Sequence, residues 1–325
     1  MTGPTSGAVL VLVETDDDGV SEVSQETLTF ARGLGADVHA LVVGDGPSGL
    51  VEQLGAYGVA AVHHADGDAF TSYAAAAWAA AVVAAARDAS VVMAAGTPRG
   101  NEVLAHVACR LGVAMAANVV AVDSTEPLVV SRQVLGGAAM EELRLAGPVA
   151  VLTVAGHACD PQPADEATSP QVAPLDVAVD ASDLRARVVR TEPGEPDESG
   201  SLKSARVVVG AGRGAGSADG FKDLLELAEL LDGALGVSRV VTSLGWRPHH
   251  EQVGQTGSRV APDLYVACGI SGAIQHWAGM SSSKTILAIN NDPDAPMVTK
   301  AHYAVIGDLH EIVPAVNEEL RRRAG

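Results

Sequence analysis

Two short stretches in the last third of the chain concentrate groups able to hold a charged, hydrogen-bonding ligand. One is Gln252-Val253-Gly254-Gln255-Thr256; the other is Ser271-Gly272-Ala273-Ile274-Gln275-His276, which follows Gly269. They place glycines, small hydroxyls, amides and one imidazole in what read as two strand-to-helix turns. Such turns offer open backbone N–H groups to a phosphate. Side-chain donors beside them suit the polar edge of an isoalloxazine ring, so the pair meets the needs of a flavin nucleotide. Ser271 reads as the N-cap of a helix over 272–280, with His276 one turn in. A ring there can donate to a ligand oxygen and stabilise negative charge developing on it, gaining a proton near neutrality. The bland alternative, a satisfied structural histidine, is the commoner fate of a lone His on a helix.

A second group of residues lies at strand ends. Gly210-Ala211-Gly212-Arg213-Gly214-Ala215 fits G-x-G-x-x-A after a strand, with Asp232 where a ribose-binding acid would sit. Taken alone this pattern is weak, because tight turns often match it, and an NAD-binding domain is the rival reading. Arg213 inside the loop suits a pyrophosphate. Ser238-Arg239 opens the next helical stretch; most surface arginines do no more than pair with a nearby acid. Asn290, and Asp308 with Leu309, follow the ends of further strands, where ligands sit in open α/β sheets.

The elements that must position these groups alternate in type. Continuous apolar runs at 8–13, 38–43, 91–94 and 149–154 read as buried strands, and His63 and His64 end a weaker one. Between them lie a helix with Val23, Thr27, Phe30 and Leu34 on one face, an alanine-rich helix near 72–88, and a helix ending at Leu111. The runs 119–122 and 129–134 suggest some antiparallel pairing. From Cys159 to Ser204 prolines and acids predominate, which predicts a connector with a strand at 177–179 and another at 187–189. Strands are then expected at 206–209, 264–267, 285–289 and 303–306, all buried. Phe221, Leu224, Leu225, Ala228, Leu231 and Leu235 form a helical stripe, and 309–323 an amphipathic last helix. The expectation is an α/β protein of two domains. Residues 1–200 form a Rossmann-like nucleotide-binding-type sheet and 201–325 a parallel-sheet domain carrying the ligand.

Composition narrows the function. The 325 residues are 47% hydrophobic but only 3% aromatic, with 35 glycines, so the cores are built from Ala, Val and Leu. A net charge of −19, with no run of Lys or Arg that covers a face, argues against nucleic acid. Three cysteines with no CxxC pair exclude a disulfide framework and give no metal spacing. The longest apolar stretch is short for a membrane span, and the N-terminus lacks a signal-peptide pattern, so a cytoplasmic location is expected. The adjacent pairs His63-His64 and His249-His250 read as surface residues, not metal ligands. No arrangement marks a hydrolase.

The segments VGQTG, APDLYVACGISGAIQHWAGM and TILAINNDPDAP together resemble the FAD-binding part of the electron transfer flavoprotein alpha subunit. The resemblance is strong from about Val207 onward. It is weaker in the first half, where Gly96, Thr97 and Gly100, and Arg132 with Gly136, sit at the family's glycine turns. It implies one FAD per chain, with Arg239 packed over the isoalloxazine, where a planar cation favours the reduced ring. It further implies the Thr256 hydroxyl near flavin N5, His276 donating to O2, and Asn290 and Asp308 toward the ribose and adenine. Two departures occur: Leu104-Ala105-His106 replaces a usual Pro-Arg pair, and Ser243 stands where Asp is usual.

By the same resemblance the chain pairs with a beta subunit. It takes electrons from acyl-CoA or similar flavin dehydrogenases, as in fatty acid beta-oxidation, and passes them to a quinone-linked oxidoreductase. It carries electrons rather than transforming a metabolite. The alternatives are a bifurcating relative that oxidises NADH, an NAD-dependent dehydrogenase, and a non-redox nucleotide-binding module.

Overall fold

A computed structural model describes residues 7–46, 48–134, 139–156, 158–191, 202 and 205–324. The chain forms two compact units. One comprises 7–134 and 140–191; the other comprises Ala139, 202 and 205–324. The boundary expected near residue 200, Gly136, and the prolines at 193 and 196 lie outside the described residues.

The first unit opens with β1 (Ala8–Leu12), a short hairpin of β2 (Thr15–Asp16) and β3 (Gly19–Val20), and α1 (Glu22–Arg32). It continues through β4 (Val38–Val43), α2 (Leu50–Ala56), β5 (Val59–Ala65), α3 (Ala75–Ala85), β6 (Ala89–Ala95) and α4 (Pro98–Leu111). Strands β7 (Met115–Thr125), β8 (Leu128–Val134), β9 (Ala139–Arg144), β10 (Ala150–Val154) and β11 (Gln171–Pro174) complete it. Among the described residues the sheet order is β11-β5-β4-β1-β6-β10-β7-β8-β9, and β7 and β8 pair antiparallel, as the sequence suggests. Continuous Val/Leu/Ala runs make the central strands because helices cover both faces and no position needs to be polar. Thr97 caps α4, its side chain accepting the Gly100 N–H at 2.9 Å, with Pro98 in the first turn.

Several sequence expectations are corrected here. The connector contributes a strand at Gln171–Pro174, not at 177–179 or 187–189; it adds in parallel to the edge of β5. The inner stripe of α1 is Ser24, Thr27, Leu28 and Ala31, with Phe30 and Leu34 only partly covered. His63 and His64 are half-buried strand residues rather than free surface groups. His63 lies 3.4 Å from His39, and His64 binds the Gly44 carbonyl at 2.9 Å.

The second unit contains β12 (Val207–Ala211), α5 (Lys222–Leu230), β13 (Ala234–Val237), α6 (Arg239–Ser243), β14 (Leu264–Cys268) and α7 (Ile274–Trp277). It ends with β15 (Thr285–Asn290), α8 (Pro296–Lys300), β16 (Tyr303–Ile306) and α9 (Leu309–Ala324). The five strands are all parallel, in the order β13-β12-β14-β15-β16. Two apolar layers sandwich them, one built around Phe221 and Leu224, the other around Tyr265, Met280 and Met297.

Three expectations fail locally. The stripe of α5 ends at Leu231; Asp232 turns the chain at φ 49°, and Leu235 belongs to the next strand. Strand β16 is the sheet edge and is exposed, Tyr303 to 66%, so its apolar run does not mark burial. The helix expected over 272–280 is a single turn at Ile274–Trp277, capped by Ala273 rather than Ser271. Gly269 and Gly272 take φ of 60° and 85°, which keeps the chain out of helix until Ala273.

Candidate functional site

The chain leaves β12, turns down to β13 on one side of it, and returns to β14 on the other. The strand order therefore reverses between β12 and β14, and a crevice opens beyond their C-terminal ends. A cavity of about 770 Å³ occupies that crevice, a volume ordinary for a small-molecule or cofactor site. Every strand of the sheet contributes to it through the loop that follows: Arg213 after β12, Ser238 and Arg239 after β13, Ser271 and His276 after β14, Asn290 itself, and Asp308 after β16.

The floor of the crevice depends on backbone touching backbone. Gly214 N–H donates to the Gly269 carbonyl at 3.1 Å, and Gly212 N–H to the Cys268 carbonyl at 2.9 Å. A Cβ on Gly212 would come within 2.2 Å of the Gly269 carbonyl oxygen. The glycines of the G-x-G-x-x-A stretch thus let two loops meet, and so keep the helix-free N–H groups at the cavity. Asp232 precedes β13 and lies at the opposite end of the sheet from these loops, so it cannot serve as a ribose ligand.

Charge and polarity at the cavity suit an anionic, polar ligand. Among the described residues the exposed Arg213 and Arg239 form no ion pair, although the chain as a whole is strongly acidic. Two buried polar atoms on its wall, Ser238 Oγ and His276 Nδ1, have no hydrogen-bond partner. Buried polar atoms are almost always satisfied, so two unpartnered ones on residues that line one cavity fit a bound polar group.

The imidazole of His276 is 6% exposed. Burial pushes its pKa down to about 4, against a smaller opposing pull from the Val253 carbonyl. The ring of the chain alone is neutral at neutral pH. Its folded-state pKa lies below the unfolded value of 6.5, so its contribution to stability is present above pH 6.5 and is lost as pH falls toward 4. Relative to His276→Leu, the chain is expected to lose on the order of 2 kcal/mol of unfolding free energy between pH 7.5 and 5. Urea unfolding of both at the two pH values checks this; parallel losses would reject it.

The structure does not bring all the expected residues onto the cavity. Ser238, Arg239, Ser271, Ala273, Gln275, His276, Asn290, Asp308, Leu309 and Arg213 line it; Gly272 and Ile274 do not. The stretch from Gln252 to Thr256 lies beside it and is bound to its wall. Gln255 N–H donates to the Gln275 carbonyl at 2.7 Å, and Val253 N–H to the Val237 carbonyl at 2.9 Å. Gln252 is spanned between Thr242 at 2.8 Å and Thr256 at 3.0 Å, which occupies the Thr256 hydroxyl as acceptor.

Other side chains on the list brace the walls. Asn290 donates to the Ile270 carbonyl at 3.0 Å and accepts the Asp292 N–H at 3.1 Å. Asp308 accepts the His310 N–H at 2.9 Å at the start of α9, and Leu309 is buried against Gly214 and Gly269. Ser243, Asn291, Asp292 and Gly307 also line the cavity and were not anticipated as ligand contacts. The position of Asn291, Asp292 and Gly307 just after strands is the available signal; Ser243 ends α6 and carries none.

Comparison with known proteins agrees with this geometry. Residues 201–281 match the electron transfer flavoprotein FAD-binding domain, and 9–180 the electron transfer flavoprotein domain. The chain is 37% identical to the electron transfer flavoprotein subunit alpha of Mycobacterium leprae, over 97% of its own length and 99% of that protein. It is 33% identical to the same subunit of Bacillus subtilis, with 97% of each covered. The chain belongs to the electron transfer flavoprotein alpha subunit family, and its cofactor is FAD. Among the described residues no helix is long and apolar enough to cross a membrane, and no cluster of metal-binding side chains is present.

Proposed function

We propose that this chain is an electron carrier that holds one FAD in the crevice of its second unit and works with an electron transfer flavoprotein beta subunit. It receives electrons from acyl-CoA or similar flavin dehydrogenases and delivers them to a quinone-linked acceptor. The observation that supports this most directly is the cavity at the β12/β14 reversal, with two free guanidiniums and two unpartnered buried polar atoms on its wall. FAD supplies the ability to accept and release electrons. The chain supplies permanent positive charge from Arg213 and Arg239, backbone N–H groups around Gly212 and Gly269, and the polar atoms of Ser238 and His276. An NAD-dependent dehydrogenase is disfavoured because Asp232, the acid its motif requires, is at the far end of the sheet.

Co-purification with a beta subunit, followed by a flavin spectrum and extraction, tests the reading; a colourless complex would sink it. Adding NADH separates a bifurcating relative, whose flavin would bleach, from a simple carrier, whose flavin would not. Arg239→Gln is expected to lower the reduction potential of bound FAD by on the order of tens of millivolts, since a positive charge beside a reduced ring favours it. Redox titration of the variant checks this, and an unmoved potential would place Arg239 outside the reach of the ring.

A further inference from the structure

Tyr265 is buried in β14, and among the described residues its side chain makes one hydrogen bond, through its hydroxyl, which lies 3.0 Å from His276 Nε2. The ring reaches the loop because Gly210 on the neighbouring strand makes room. A Cβ there would fall 2.3 Å from the Tyr265 hydroxyl oxygen. The first glycine of the G-x-G-x-x-A stretch thus accommodates a phenol rather than a phosphate.

The hydrogen count decides which way this bond runs. A buried phenol has one proton to donate and, here, one partner to receive it. Burial pushes the Tyr265 pKa far up, so that proton is retained. If Nε2 accepts it, the neutral imidazole carries its own proton on Nδ1, and one donor is left for a ligand. If instead Nε2–H donates to the phenol oxygen, the phenol proton is stranded and Nδ1 becomes a bare acceptor. That arrangement leaves two buried groups unsatisfied in place of one, each costly.

We infer that Tyr265 is the positioning residue that fixes the His276 tautomer, accepting nothing itself and holding the imidazole proton on Nδ1, where it serves as a donor to an electron-rich atom of the bound cofactor. The donor role rests on the cavity being the FAD site; the tautomer does not. Tyr265 never touches the ligand and acts only through His276. A neutral donor of fixed direction would keep its hydrogen bond across the pH range in which the ring stays uncharged.

The test uses the full chain, labelled with 15N in histidine, first without flavin. Long-range proton–nitrogen spectra report which ring nitrogen carries the proton, and His276→Gln identifies the signals. The expected result is a neutral ring protonated on Nδ1. Tyr265→Phe, which removes the hydroxyl and keeps the ring, is expected to give a mixture of tautomers. It should also raise the dissociation constant for FAD by the inverse of the fraction of rings that keep the proton on Nδ1, about twofold for an even mixture. An Nε2-protonated ring in the parent chain, or a tautomer unaltered in Tyr265→Phe, overturns the inference. An altered tautomer with unaltered FAD affinity overturns the donor role. A chain with the expected tautomer that takes up no FAD even with the beta subunit present would place the cofactor outside this crevice instead.

Discussion

Arg247→Met is expected to lower the unfolding free energy of the second unit by about 3–5 kcal/mol, the cost of leaving a buried carboxylate without its cation. Glu251 is 1% exposed, and Arg247 grips it through Nε at 2.8 Å and through a second guanidinium nitrogen. The two residues are one helical turn apart in sequence and stand directly before the stretch from Gln252 to Thr256. Their pairing fixes where that stretch begins, and with it the Gln252 bridge to Thr242 and Thr256. FAD affinity should therefore fall along with stability. Replacing both partners by apolar residues, Arg247→Met with Glu251→Leu, should recover most of the stability, because no charge is then stranded. Urea unfolding of the two single variants and the double variant measures the coupling. Single and double variants of equal, small effect would show that the carboxylate is hydrated rather than buried in solution.

What the sequence made legible was the repeated strand-then-small-residue rhythm. Apolar runs followed by Gly, Ser, Asn or Asp mark the C-terminal ends of parallel strands, and those ends form the crevice. That logic places Asn290 and Asp308 at the crevice, and the resemblance adds Ser238. What remained hidden depends on contacts far apart in sequence. Ser271-Gly272-Ala273 reads as a cap and first turn, but Gly272 crosses the backbone of α8, where a Cβ would meet Met297 N at 2.2 Å, and so cannot be helical. Tyr303 to Ile306 reads as core, yet the burial of a strand depends on its place in the sheet, which local pattern does not encode. Gly210 resembles a phosphate-loop glycine until its partner, Tyr265, is seen across the strand pair. Family resemblance marks Thr256 and Gln252 as ligand contacts; in the fold Gln252 is bound to both Thr256 and Thr242, beside the cavity rather than on it.

Gly269→Ala is expected to cost about 2–5 kcal/mol, the sum of about 1–2 for a side chain in the left-handed region and about 1–3 for overpacking. The backbone there has φ 60°, and the new Cβ would stand 2.7 Å from both Gly214 Cα and Leu309 Cδ2. A leucine methyl can turn aside, but the Gly214 backbone is held by the bond its N–H makes to the Gly269 carbonyl. Relief therefore requires the loops after β12 and β14 to separate. Those loops are the floor of the cavity, so FAD affinity should fall with stability and by more than strain alone would produce. Gly245 supplies the control: it has φ 71° with nothing within 4 Å of its Cβ position, so Gly245→Ala should show only the conformational cost, about 1–2 kcal/mol. Urea unfolding and flavin titration of both variants distinguish the two contributions. If Gly269→Ala behaves like Gly245→Ala in both measurements, the close approach of the two loops is not what shapes the site.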